Sequence, residues 1–429
     1  MYRKMIEKLI KWKDSKYRKP LVMWGARQTG KTWLMKEFGD NHFDNYVYVS
    51  FYNNKRIASV FDQDYNPERI INALEIELHV NITPEKTLII FDEIQNAPKV
   101  LESLKYFCEE SPEYPIVCAG SLLGVAIHEG VSFPVGKVDE LRLYPMSFEE
   151  FLIALGEEKL ASYCEDYKLS EINDFSAKYR QLLKEYYIVG GMPEVVSRYV
   201  SNKDFHEVRE NQLAILNQYE GDFGKHIKSS ELPRIRMVWN SIPMQLAKEN
   251  KKFFFGQIKS GARHKDFEIA IEWLIDSGLI YKVPKVSKPS MPLKSYVDFS
   301  AFKIYMIDVG LLGAISELDI DSVITGNDIF TEFKGALTEQ YVLQQLLCET
   351  KYTPYYYSGE KSTYEVDFLI QKGKDVIPIE VKAEENLKAK SLKVYHDKYQ
   401  PSFSIRTSMS EYRDQEWMIN VPLWTVGAL

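Results

Sequence analysis

The sequence predicts an α/β chain built around a parallel sheet, and three observations carry that expectation. An apolar run at 21–24 leads into Gly-Ala-Arg-Gln-Thr-Gly-Lys-Thr at 25–32, with good helix formers at 33–38 behind it. A second apolar run, 88–91, ends in two acids, Asp92 and Glu93. Further strand-like runs at 46–51, 116–119 and 141–144 fall before and after the acids, the order of strands joined by helical crossovers.

Residues 25–32 have the G-x-x-x-x-G-K-[ST] spacing of a phosphate-binding loop. Gly25 and Gly30, with Ala26, Arg27, Gln28 and Thr29 between them, let successive backbone N–H groups curl around a triphosphate. The helix that starts here, with Trp33 in its first turn, adds its positive dipole end. Lys31 can reach the β- and γ-phosphates, and the Thr32 hydroxyl can hold a magnesium ion. ATP with magnesium is the expected cofactor pair, adenine being the default base. The alternative is a Gly-rich turn that merely joins a strand to a helix.

Charge at the carboxyl end of a buried parallel strand is costly unless an ion or partner compensates it. Asp92 is therefore expected to hold magnesium, through water, beside Thr32. Glu93 is expected to orient and deprotonate the water that attacks the γ-phosphate. Capping of a helix that begins near Pro98 is the other reading of these acids. A strand inserted between loop strand and acid strand, together with the extra Glu, is the arrangement of ATP hydrolases rather than simple nucleotide kinases. Ser121, after the run 116–119, stands where a polar side chain would touch the γ-phosphate or the attacking water; it could equally N-cap 122–127.

Residues 151–230 read as helices broken by a tight Gly-Gly-Met-Pro turn at 190–193, the pattern of a helical lid. Helix, helix and strand follow over 234–283, with Ile269, Trp273 and Leu274 as an apolar stripe and Gly278 ending the helix. That order reads as a winged helix with 284–292 as its wing. Lys259, Arg263, His264 and Lys265 could meet a phosphate backbone. Asp266, Glu268 and Glu272 on the same helix oppose it, and a packing role is favoured.

A second constellation lies near the C-terminus. Residues 364–370 and 376–382 read as strands joined by a turn at 371–374. A turn centred between Gly373 and Lys374 sets Asp367 opposite Glu380 on one sheet face, where two carboxylates invite a divalent cation. Lys382 projects to the same face and could orient a hydrolytic water or stabilise charge on a phosphodiester. Glu339 shares a helical stripe with Ala336, Leu343 and Leu346, so its carboxylate points coreward and needs a partner. The alternatives are a solvated Glu380–Lys382 pair with Asp367 on a nearby lysine, or a retained fold whose catalysis is lost.

The loop at 25–32, Ile-Ile-Phe-Asp-Glu-Ile-Gln at 89–95, Ala-Gly-Ser at 119–121 and Leu-Tyr-Pro-Met-Ser-Phe-Glu-Glu at 143–150 together resemble bacterial and archaeal AAA-type ATPases. Gly-Gly-Met-Pro at 190–193 and the run 302–312 around Asp308 fit the same group. The resemblance implies a C-terminal domain of unknown function related to PD-(D/E)XK nucleases, whose core has the Glu339, Asp367, Glu380 and Lys382 order. The family usually has Gly-Arg before the Leu-Tyr-Pro stretch, whereas Lys137 follows Gly136 here. A point cation lacks the planar fork of arginine; Arg142 or Arg27 could substitute.

The 429 residues allow two to four domains. With 45% hydrophobic and 27% charged residues the composition is that of a soluble globular protein. A net charge of −7 does not announce a nucleic-acid binder, and the locally basic stretch 3–19 reads as an amphipathic helix with a solvated face. Cys108, Cys118, Cys164 and Cys348 have no metal-ligand spacing and read as reduced thiols. With no apolar run of spanning length, the expected place is the cytoplasm and no membrane contact is expected.

The expected organisation is an AAA-type ATP-binding domain at 1–150, a helical lid and winged-helix region at 151–325, and a small restriction-endonuclease-like α/β domain at 326–429. The expected function is a magnesium-dependent ATPase whose cycle controls the nuclease-like domain, with DNA or RNA as possible partner. The alternative is a nucleotide-dependent switch or scaffold that recruits a protein partner, its nuclease-like domain silent. An oligomer is possible, since such sites often borrow a cation from a neighbouring subunit.

Overall fold

The computed structural model describes residues 1–128, 132–165, 171–225, 227–248, 251–325, 328–359, 364–384 and 389–429. These form two compact units. One comprises Arg3–Tyr144 with Asp276–Gly278, and the other comprises Met1–Tyr2, Pro145–Ile275 and Leu279–Leu429.

The first unit is a five-stranded sheet of β1 (Leu21–Trp24), β2 (Asn45–Ser50), β3 (Thr87–Asp92), β4 (Ile116–Ala119) and β5 (Asp139–Arg142). Its order is β2-β3-β4-β1-β5, and every pairing is parallel. The inserted strand is β4, which lies between the loop strand β1 and the acid strand β3; β2 takes the outer edge. Alternate residues supply opposite faces. Val22, Ile89 and Phe91 pack into one apolar cluster, and Leu21, Met23, Leu88 and Ile90 into the other. Helices Pro67–Leu78 and Pro98–Glu110 cover the first face, while Met5–Lys13 and Lys31–His42 cover the second.

The last strand begins two residues earlier than expected from 141–144. Asp139 pairs with Leu21 and Arg142 with Trp24. As an edge strand β5 leaves Glu140 and Arg142 exposed, so an apolar criterion misses its first half.

In the second unit, helices run from Phe148–Ala154 to Phe205–Asp222, followed by Leu232–Leu246, Phe255–Ile258 and His264–Asp276. The last of these buries Phe267, Ala270, Ile271, Trp273 and Leu274. Ile269 is 60% exposed, so the stripe starts at Phe267 and not at Ile269 as expected.

The remaining strands are β6 (Ile280–Val286), β7 (Val297–Met306), β8 (Tyr355–Ser358), β9 (Glu365–Lys372), β10 (Asp375–Val381), β11 (Ser404–Ser408), β12 (Arg413–Gln415) and β13 (Met418–Pro422). They make one eight-stranded sheet in the order β12-β13-β11-β10-β9-β8-β6-β7. The hairpin β6–β7 is antiparallel, and β6 joins β8 in parallel at Lys285 and Tyr356. Strands from the segments expected at 151–325 and 326–429 thus share a single sheet.

A buried polar hub ties this unit together. Asp308 is fully buried and N-caps the helix Val309–Ile315, accepting from the Leu311 N–H at 3.0 Å. It also accepts from the Gly191 N–H at 2.6 Å and from Gln344 Nε2 at 3.1 Å. Gly190 has φ +72°, and any Cβ there would overlap the Asp308 carboxylate. The Met146 N–H donates to the Gly191 oxygen at 2.6 Å, and the Phe148 N–H to Gln345 Oε1 at 2.8 Å. Three stretches far apart in sequence, around 146–150, 190–193 and 308–312, therefore meet in one place.

Candidate functional site

The carboxyl ends of β1, β3 and β4 bring the expected nucleotide residues together. Lys31 is buried, and its Nζ donates to the main-chain oxygens of Gly25 at 2.8 Å and Ala26 at 2.7 Å. Burial pushes its pKa down to about 8; nearby Glu93 and Asp92 oppose the shift and Arg27 adds to it. The Thr32 hydroxyl donates to Asp92 Oδ2 at 2.6 Å, and the Tyr48 hydroxyl reaches the same oxygen at 3.0 Å. Gly25, at φ +153°, has no room for a Cβ beside the Leu143 oxygen. Thr29 is fully buried and donates to the Ala26 oxygen at 2.9 Å. Gln28 takes a left-handed φ of +66° in the loop, and Trp33 is 40% exposed.

Glu93 sits at φ +55°, in the left-handed region that residues other than glycine seldom adopt. The Ser121 hydroxyl donates to Glu93 Oε1 at 2.8 Å, and Gln95 Nε2 donates to Oε2. Neither acid caps the helix Pro98–Glu110, whose N-cap position is Ala97. Gln95 lies so close to Gly120 that a Cβ there would overlap its Oε1.

Two contributors escaped the sequence reading. Arg3 is 4% exposed, not on a solvated face; it donates to the Thr29 oxygen at 3.0 Å and the Tyr144 oxygen at 2.7 Å. Nothing in the pattern of a basic N-terminal stretch distinguishes it from its neighbours. Gln95 is the other, and no periodicity marks it.

Lys137 lies before β5, at the end of the sheet opposite the loop, and pairs with Glu109 at 2.7 Å. It therefore cannot stand in for an arginine at its own chain's loop. Arg142, paired in register with Trp24, lies at the loop end.

The C-terminal residues also converge. The pairs from Asp375–Lys372 to Ile379–Phe368 place the turn at Gly373–Lys374 and carry the register on to Glu380 opposite Asp367. Lys382 pairs with Glu380 Oε1 at 2.7 Å, and the Val381 N–H donates to Asp367 Oδ2 at 2.8 Å. Glu339 is paired with Lys251, lies 3.7 Å from Lys303 Nζ, and accepts from the Tyr305 hydroxyl at 3.1 Å. Lys303 has no exposed surface and also pairs with Glu365 at 2.6 Å. Burial, and then the charges of Glu339 and Glu380, hold Asp367 well above the usual carboxylate range. Burial raises Glu380 as well, against the pull of Lys382. Glu380 Oε2 is buried and has no hydrogen-bond partner among the described residues. The signal for Lys303 was a charge inside an otherwise apolar strand, 301–307, which is costly unless partnered.

Residues 17–152 match the family model of an AAA domain. Residues 180–322 and 334–426 match two domains of unknown function, DUF8612 and DUF4143. Among solved structures the chain is similar to the Walker-type ATPase of Pyrococcus abyssi, at 13% identity over 73% of this chain and 95% of that one, TM-score 0.46. It is similar to the Aeropyrum pernix ORC1 protein in complex with DNA, at 15% identity over 73% and 91%, TM-score 0.27. Cdc6p from Pyrobaculum aerophilum is similar at 12% identity over 75% and 93%, TM-score 0.24. None of the curated proteins matches. The match to an AAA domain thus covers the segment that carries the phosphate-binding loop and both acids. Among the described residues no helix is long and apolar enough to cross a membrane.

Proposed function

We propose that the chain binds ATP with magnesium, hydrolyses it, and uses the cycle to control its C-terminal part. The observation that carries this reading is the 2.6 Å contact between Thr32 and Asp92 beside a Glu93 held by Ser121. A hydroxyl and a carboxylate side by side are hard oxygen donors, which suit magnesium. Bound there, the ion would neutralise charge on the β- and γ-phosphates.

The chain's own residues supply the rest. Lys31 would leave the Gly25 and Ala26 oxygens for the phosphates, and its charge is worth more in a buried site than in water. Glu93 would take the proton of the attacking water, with Ser121 and Gln95 fixing the direction of its carboxylate. Little covalent chemistry is asked of the protein; positioning does most of the work.

Two outputs are open to such a cycle. In one, the C-terminal domain is a nuclease acting on DNA or RNA through Glu339, Asp367, Glu380 and Lys382. In the other, that domain is silent and the protein is a nucleotide-dependent switch that recruits a protein partner. The lysines already seated on these acids favour the second. We read the helices and hairpin of 232–306 as a winged helix used for packing, because β6 is spent on extending the larger sheet through β8.

Thermal melts test the nucleotide site. At ATP about a hundredfold above Kd the protein should gain about 2.7 kcal/mol, and Lys31→Ala should gain nothing. Equal gains in both proteins would overturn the assignment. Magnesium-dependent cutting of DNA or RNA, lost in Asp367→Ala and Lys382→Ala, would restore the nuclease output.

A further inference from the structure

The nuclease resemblance implies a divalent cation held by Glu339, Asp367 and Glu380, and the surroundings of these acids do not suit one. No group of three acid, cysteine or histidine side chains among the described residues is arranged to hold a metal ion. The places around the carboxylates are taken by ammonium groups of the same chain. Lys251 is on Glu339, Lys303 lies between Glu339 and Glu365, and Lys382 is on Glu380.

We infer that the chain closes this acid cluster with its own lysines, Lys303 being the resident cation in the place a divalent ion would take. Four carboxylates, counting Glu365, meet three ammonium groups. That leaves one negative charge, and Glu380 Oε2 is buried with no hydrogen-bond partner among the described residues. A divalent ion would turn the deficit of one into an excess of one inside a buried site, which is strongly disfavoured. Without Lys303 the same ion would balance the cluster.

Lys251 and Lys303 both lie upstream of residue 326, on the segment that carries the hairpin β6–β7, whereas Asp367 and Glu380 lie on β9 and β10. The closure is thus made by one part of the unit on another. Tyr305 extends it: two residues from Lys303 on β7, it donates to Glu339, and its ring lies 6.0 Å from that of Phe368 at a tilt of 39°. This inference concerns the C-terminal acids alone and stands or falls independently of ATP hydrolysis.

The test is Mn2+ binding by the full chain, followed by electron paramagnetic resonance without nucleotide. An Asp92→Asn background removes the loop's own metal ligand. Expected is no site at millimolar Mn2+ in that background. Lys303→Met should add one site, bound about tenfold tighter or more, and Glu380→Gln should abolish it. If Lys303→Met does not fold, Lys251→Met, which also removes one positive charge from the cluster, is expected to show the same gain. A site already present with Lys303 in place, and lost with Asp367→Asn, would overturn the inference. So would a folded Lys303→Met or Lys251→Met protein that gains none.

Discussion

Arg3 reaches across 26 residues to donate a hydrogen bond to the main-chain oxygen of Thr29 at 3.0 Å, in the middle of the phosphate-binding loop. Its other Nη nitrogen holds the Tyr144 oxygen, two residues beyond β5. One buried guanidinium therefore fixes the loop against the exit of the last strand, using the fork that lysine lacks.

Arg3→Met is expected to weaken ATP binding about tenfold or more, since a hydrogen bond from a charged donor contributes about 1.5–3 kcal/mol. Arg3→Lys should recover only part of this. Calorimetric titration measures it. A lowered melting temperature with unchanged ATP affinity would assign Arg3 to stability alone.

Lys31 gives a pH signature. Its folded, nucleotide-free pKa is lowered from 10.5 to about 8 by burial. Between those values the folded chain binds fewer protons than the unfolded one, so its contribution to stability rises with pH across that window. Triphosphate favours the charged form, so ATP binding above about pH 8 should take up a proton and weaken as pH rises. Binding enthalpies that do not depend on the buffer at pH 9 would contradict this. Lys31→Arg, if it binds at all, should show no such dependence.

Glu93→Gln should keep ATP binding and slow turnover by about 10²–10⁴-fold, the usual range for a general base. Gln95→Ala should lower kcat with little change in ATP affinity, because its amide holds the Glu93 carboxylate and not the phosphate-binding loop. Single-turnover hydrolysis separates the two parameters. An unaltered rate in Glu93→Gln would remove it from the role of base.

Gly190→Ala should destabilise the second unit by about 2–4 kcal/mol, from left-handed strain and overlap with Asp308. Asp308→Ala should also cost stability, since it strands the N–H groups of Gly191 and Leu311 at about 1–3 kcal/mol each. In the Asp308→Ala background the added methyl of Gly190→Ala has room, so the two effects should fall short of additive. Urea titration of both single variants and the double variant measures this. Strict additivity would mean that the two residues do not meet.

The nucleotide loop, its flanking strand and helix, and the acid pair were legible because each depends on local chemistry: glycine spacing, a buried apolar run, and charge at a strand end. The Asp367–Glu380 register was legible for the same reason, through the turn at Gly373. The first half of β5 was not, because an edge strand tolerates Glu140 and Arg142. Arg3, Gln95 and Lys251 were hidden because their roles come from partners 26, 2 and 88 residues away, contacts without periodicity. The junction of 190–193 with Asp308 likewise needed the fold, since neither stretch alone says what it packs against.

The hairpin of residues 280–306 and the strands after 355 have to be inherited together. A shortened protein starting at residue 326 would leave one side of β8 unzipped, an invitation to stick to other chains, and would lose both Lys251 and Lys303 from around Glu339. Recombination or engineering that swaps tail modules at that point should yield insoluble products, whereas a cut placed near 144 falls where one compact unit gives way to the other, with only Met1–Tyr2 and Asp276–Gly278 on the wrong side of it.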